Sequence, residues 1–131
     1  MTKLMTQLLL IALGGGVGAV FRFLISGWVQ RGGTGFPVGT LTVNVVGCLL
    51  IGFLGAMAAS SGERLPPELR LALMIGVLGG FTTFSTFGLE TIELAREHEF
   101  VKAALYIALS NVIGLAAVWL GYRVSIAIYG V

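Results

Sequence analysis

The richest chemistry in this sequence lies in one run, Gly79-Gly80-Phe81-Thr82-Thr83-Phe84-Ser85-Thr86-Phe87. It carries hydroxyls, phenyl rings and a glycine pair, and no charge. Thr82, Thr83, Ser85 and Thr86 can each donate a hydrogen bond. Phe84 and Phe87 are three apart, so a helix places them on one face. The run lies within an uncharged stretch, residues 71–89, long enough to cross a bilayer at about 1.5 Å per residue. Gly79-Gly80 weakens a helix there, because glycine has the most backbone freedom to lose. A helix broken at membrane depth survives only when buried in protein or lining a wet cavity. One reading is therefore an ion or solute site. The other is a packed helix interface, where small and hydroxylated residues allow close approach. The double Phe-x-x-Phe interleaved with hydroxyls favours the site.

Other polar residues stand in apolar surroundings. Asn44 is an amide inside hydrocarbon, with two amide hydrogens to place. It either bridges two helices or donates to a passing anion. Thr40 and Gly47 share its face by i±3 or i±4 spacing. Tyr106 and Ser110 form an i,i+4 pair, with Gly114 a turn further along; Asn111 lies beside them. Arg22 is costly within a span unless it snorkels or finds partners. It either snorkels to the interface or makes an electropositive vestibule for an anion, and the two are compatible. Gly14 and Gly18 make a small-xxx-small face suited to close helix packing. The glycine-rich run around them is no dinucleotide loop, because no strand precedes it and no acidic residue follows at the required distance.

The elements that must position these groups are membrane helices. The 131 residues are 56% hydrophobic and only 11% charged, against roughly 25% charged in a soluble domain. Four spans follow from the apolar runs: residues 4–29, 38–60, 69–92 and 100–128. They form a single all-α transmembrane domain, with the third helix broken near Gly79-Gly80. Short linkers, residues 30–37, 61–68 and 93–99, leave no room for a soluble domain. Gly32-Gly33-Thr34-Gly35 and Pro66-Pro67 punctuate the first two. A cleaved leader is not expected, because the apolar run continues past Gly18 without a clear small-x-small site. The net charge of +2 comes without a basic cluster, so nucleic acid is not an expected partner. Cys48, the single cysteine, reads as a small packing residue. Trp119 and Tyr122 read as interfacial anchors, and His98 as solvated.

All six acids are glutamates, and only Glu90 falls within a span, near its end. A proton-coupled multidrug exporter of this size needs an embedded carboxylate, and Glu90 is its only candidate. That exporter is one rival reading; a non-conducting subunit of a larger membrane complex is another. No nucleophile, base and orienting residue come together, so an enzyme is not expected. Lys3, Arg64, Arg70 and Arg123 fall on one side of the membrane, and Arg22, Arg31, Arg96 and Lys102 on the other. This balance gives no orientation. It fits a chain that inserts both ways and pairs head to tail.

Three motifs together resemble the Fluc/CrcB fluoride channel family. They are Gly14-Gly15-Gly16-Val17-Gly18-Ala19-Val20-Phe21-Arg22, then Gly39-Thr40-Leu41-Thr42-Val43-Asn44, then the run from Gly79 to Phe87. The resemblance extends over the whole chain in motif order, helix count and length, and the third motif is the most specific. It implies a dual-topology antiparallel homodimer in the cell inner membrane that exports fluoride passively. By matching positions it implies that Asn44, Phe84, Ser85, Thr86, Phe87, Tyr106 and Ser110 line the fluoride path. Arg22 takes the family's first-helix arginine position. Backbone carbonyls of Gly79 and Thr82 are implied to hold a structural sodium ion. A hydroxyl found in some relatives falls at Gly114, so the polar track lacks that group here. The physics is compatible. Fluoride is small and strongly hydrated, so a pore must replace its water with donors. The positive edges of phenyl rings can cradle an anion weakly enough for it to leave.

Overall fold

A computed structural model describes residues 2–33, 35–60 and 64–130. Thr34 of the first linker, and Ser61, Gly62 and Glu63 of the second, lie outside the described residues. All regular structure among the described residues is helical. Helix α1 covers Lys3–Gln30 and α2 covers Val38–Ala59. The third span is assembled from pieces: α3 at Pro67–Arg70, a π-helical segment at Leu71–Val77, α4 at Leu78–Phe81 and α5 at Phe84–Arg96. Helix α6 covers Phe100–Tyr129. Each of the four spans is long and apolar enough to cross a membrane, which makes this a multi-pass membrane protein.

Packing follows the glycines. Helix α1 lies along the π-helical segment and α4, while α2 lies along α6. Gly14 and Gly18 of α1 are both buried. A methyl group at Gly14 would stand 2.6 Å from the Ala72 carbonyl oxygen, and one at Gly18 would strike the Val77 carbonyl. On the other seam, Gly52 of α2 faces the backbone of Val118, and Gly121 of α6 faces that of Leu49. Lipid offers no hydrophobic gain for helix association, so close backbone contact supplies the attraction instead. Between α1 and α2, Gln30 ties the turn together. Its Nε2 donates to the Phe36 carbonyl, and its Oε1 accepts from the Gly39 N–H, both at 3.0 Å. The second bond satisfies a donor that the start of α2 leaves open, since Pro37 makes no side-chain cap.

The third span is interrupted, but not at the glycine pair. Gly79 and Gly80 are both helical, inside α4. Gly80 is there for space: a methyl group on it would collide with the Gly15 backbone. The interruption falls two residues later, at Thr82 (φ −87°, ψ 156°) and Thr83 (φ −150°, ψ 115°), both extended. β-Branched side chains tolerate extended backbone well. Thr83 is also the N-cap of α5, its Oγ1 accepting from the Thr86 N–H at 3.2 Å.

Substituting Gly80 with Ala forces α1 and α4 apart. A loss of about 1–3 kcal/mol or more is expected, read as a lower unfolding temperature in detergent. Gly55, where an added methyl group meets nothing within 4 Å, is the control. Gly55→Ala is expected to be neutral or stabilising by up to about 1 kcal/mol.

Candidate functional site

The break exposes backbone polar groups at membrane depth, and Asn44 of α2 answers them. Its Oδ1 accepts from the Thr83 N–H at 2.8 Å, and its Nδ2 donates to the Thr83 carbonyl at 3.0 Å. One side-chain amide thus pairs with both polar groups of a single residue. In an unbroken helix the Thr83 N–H would go to the Gly79 carbonyl. That carbonyl is relieved of this bond, and Gly79 lies on an exposed face of the chain. Arg22 reaches the break from α1, its Nη1 donating to the Thr82 carbonyl at 3.5 Å. The Thr82 hydroxyl turns back to the Leu78 carbonyl at 2.9 Å. Thr83 Oγ1 donates to Thr86 Oγ1 at 2.9 Å, and a 3.4 Å contact links it to Ser85 Oγ.

Two cavities flank the break, with Thr83 between them. The first is a groove of about 360 Å³, lined by Asn44, Cys48, Thr82, Phe84, Phe87 and Ser110 among others, with no charged group on its wall among the described residues. Phe84 and Phe87 meet there, ring centroids 5.4 Å apart and planes tilted by 44°. Phe84 is 83% exposed. The second cavity, about 430 Å³, is lined by Arg22, Ser26, Gln30, Thr40, Thr83 and Thr86. It is the electropositive one.

Of the positions singled out in the sequence, Asn44, Gly79, Thr82, Phe84, Phe87 and Ser110 share the groove, while Arg22 and Thr86 share the second cavity. Ser85 lines neither, although it touches Thr83. Tyr106 is fully buried behind Phe87, its ring 5.1 Å from the Phe87 ring and 5.5 Å from that of Phe36. Its hydroxyl donates to Glu90 Oε2 at 2.6 Å, while Thr40 Oγ1 donates to Glu90 Oε1 at 2.7 Å. The sequence reading kept Glu90, near the end of its span, as the only candidate carboxylate of a proton-coupled exporter. The structure joins it to two hydroxyls from two other helices. Thr83 was read as one hydroxyl among four, whereas its backbone is the hinge of the site.

Residues 9–122 match the family described as CrcB-like protein, Camphor Resistance (CrcB). The chain is similar to the fluoride-specific ion channel FluC of Methylobacillus flagellatus, at 48% identity over 121 residues, 91% of this chain and 94% of that protein. It is similar at the same identity to the fluoride-specific ion channel FluC of Geobacter metallireducens, over 118 residues, 89% of this chain and 94% of that protein. A third relative of the same description, from Methylocella silvestris, is 47% identical over 121 residues, 90% of this chain and 92% of that protein.

The clamp on the break is open to direct test. Asn44→Leu leaves the Thr83 N–H and carbonyl without their partners in an apolar setting. Each orphaned group is expected to cost about 1–3 kcal/mol, seen as a fall in unfolding temperature in detergent. Thr83→Val removes the helix cap and the hydroxyl contacts with Thr86 and Ser85 but leaves the backbone pair with Asn44, and is expected to cost about 1 kcal/mol. Equal effects of the two substitutions would refute the double role given to Asn44.

Proposed function

This chain belongs to the CrcB family, and we infer from that membership that it forms a fluoride-specific ion channel and not an enzyme. The observation that carries the reading in physical terms is the groove beside the break. There an amide, a serine hydroxyl and two phenyl rings converge at membrane depth on a wall without charge. Asn44 spends one amide hydrogen on Thr83 and keeps a second for the ion. Ser110 adds a hydroxyl, and the edges of Phe84 and Phe87 add weak positive potential. Ser85 and Thr86 extend the donors from the N-terminus of α5, the positive end of that helix. Arg22 raises the anion concentration in the cavity across the break. Tyr106 offers its hydroxyl where its bond to Glu90 is exchanged for one to the ion. Several weak contacts in sequence are what conduction requires. The driving force is the membrane potential, about 2.3 kcal/mol per charge per 100 mV, so an inside-negative cell expels fluoride without other energy. This role places the channel in the cell inner membrane, with lipid around it.

A homodimer of antiparallel chains completes the reading. Its support is the even division of basic residues between the two sides, together with the exposure of Phe84 and Gly79 on the single chain. A second copy would cover both. The family also implies a structural sodium ion, and the residues fit it. The Gly79 carbonyl has lost its helix partner, and the Thr82 carbonyl keeps a second lone pair beside Arg22. Oxygen donors suit a hard cation. Gly79 and Thr82 would hold it through their backbone, and the ion would supply positive charge and a partner for the freed carbonyls.

Fluoride efflux from liposomes containing the purified chain, with chloride as control, tests the function. Phe84→Ile and Phe87→Ile keep the apolar bulk but lose the ring edge. Each is expected to cut fluoride flux by at least about tenfold, a rise of roughly 1.4 kcal/mol in the barrier. Wild-type flux in both would remove the rings from the path. Glu90→Gln abolishing a proton-driven export of organic cations, with no fluoride flux in the wild type, would instead favour a proton-coupled exporter.

The assembly has its own test. Reporters on the C-terminus are expected on both sides of the membrane, and replacing sodium with a large organic cation is expected to weaken the dimer. A single orientation with full activity would exclude dual insertion. A dimer indifferent to sodium would exclude the ion.

A further inference from the structure

A further cavity lies away from the break, at the membrane end where α2 finishes and the third span begins. It holds about 520 Å³ and is lined by Ala58, Ser60, Leu65, Arg70, Met74 and Ile75 among others. Its polar groups are gathered at one end. Ser60 caps the end of α2, and Arg70 is the last residue of α3, so both stand near the bilayer surface. Met74 and Ile75 belong to the π-helical segment, further into the span. That segment packs along α1 and hardly touches α2, which leaves the cavity between them. Arg70 is exposed and makes no hydrogen bond, ion pair or ring contact with the described residues. Glu68, two positions away on the same short helix, does not face it. Arg64 and Arg123, at the same membrane end, instead lie over rings, Tyr129 at 5.5 Å and Trp119 at 5.7 Å. The Ser60 hydroxyl donates to the Met57 carbonyl at 2.8 Å, and its oxygen can still accept.

We propose that this cavity holds an anionic phospholipid, with its phosphate on Arg70 and an acyl chain along Met74 and Ile75. The proposal rests on the membrane setting and not on the fluoride-channel reading. Its argument is charge complementarity combined with direction. A guanidinium is always charged, and near a bilayer surface a lipid phosphate can meet it with a forked pair of hydrogen bonds. An anionic lipid presents that phosphate at the surface and a hydrocarbon chain directly beneath. The cavity presents a cation and an apolar wall in the same order. Basic pockets between membrane helices select anionic headgroups in this way. A zwitterionic lipid carries its own cation, which competes with Arg70 for the phosphate. The free lone pair of Ser60 suits a hydroxyl on the headgroup, as phosphatidylglycerol has. The bound lipid would join the end of α2 to the start of the third span, where the two helices themselves barely meet.

The test titrates the full-length chain in detergent with phosphatidylglycerol or phosphatidylcholine and counts retained lipid by native mass spectrometry. Phosphatidylglycerol is expected to bind about fivefold more tightly, the factor for one basic residue near a charged headgroup. Equal retention of the two lipids by the unmodified chain overturns the proposal without any variant. Arg70→Gln is expected to abolish the preference, and Arg70→Lys to keep most of it. Arg123→Gln is expected to leave it unchanged, because that guanidinium already lies over Trp119. An unchanged preference in Arg70→Gln, or an equal loss in Arg123→Gln, would mean a general attraction to a basic surface and overturn the site. Ala58→Phe fills the cavity and leaves Arg70 in place. It is expected to lower retention of phosphatidylglycerol as well, and full retention there overturns the place given to the chain. Glycerol phosphate carries the headgroup charge without a chain and is not expected to displace the lipid at equal concentration. Displacement by it would make this a site for free anions. Ala58→Phe that separates the chains, with no lipid retained by the unmodified protein, would make the cavity a contact between copies.

Discussion

The amide of Asn44 paired with the backbone of Thr83 is the interaction on which the rest of the site depends. A bilayer supplies no water to a broken helix, so each unmatched N–H or carbonyl there costs several kcal/mol. Asn44 meets both groups of Thr83 at 2.8 and 3.0 Å, and the extended pair Thr82-Thr83 becomes tolerable. Everything else at the centre follows from that substitution. The Gly79 carbonyl gives up its helix partner, Thr83 becomes free to cap α5, and the rings of Phe84 and Phe87 emerge at the start of a new helix, not in the middle of an old one.

That clamp can form only because the helices stand unusually close. Gly15 against Gly80 and Gly18 against Val77 bring α1 onto the third span, and from there Arg22 reaches the Thr82 carbonyl. Gly47 accommodates the Thr82 methyl group, which lets α2 approach near enough for Asn44 to reach across. The π-helical segment at Leu71–Val77 contributes as well. Its wider turn puts Gly76 against Gly14, and π turns are frequent beside functional sites. Close packing and the polar site are thus two results of one set of small residues.

The second polar centre is Glu90, held by Thr40 and Tyr106. Three helices contribute one side chain each, so the carboxylate ties them together. A carboxylate accepts hydrogen bonds as any anion does, and here it takes those of Thr40 and Tyr106. The structure therefore separates a groove, where Asn44 keeps one of its two amide hydrogens, from a buried cluster whose hydroxyls are engaged by Glu90.

The sequence by itself determined the class of the protein. Runs of apolar residues fix four spans, because a helix must hide its backbone in lipid and only length and hydropathy are needed to do so. The family, too, was legible, since the run from Gly79 to Phe87 has no reason to exist in a helix that merely anchors. The location of the break was not. Gly79-Gly80 suggested it through intrinsic propensity, but a glycine in a membrane helix is as often a point of contact, and Gly80 proved to be one. What decided the matter was Asn44, thirty-nine positions from Thr83. The engagement of Tyr106 with Glu90 is of the same kind. A side chain's type states which bonds it can make; only the packing of distant helices decides which of them it does make.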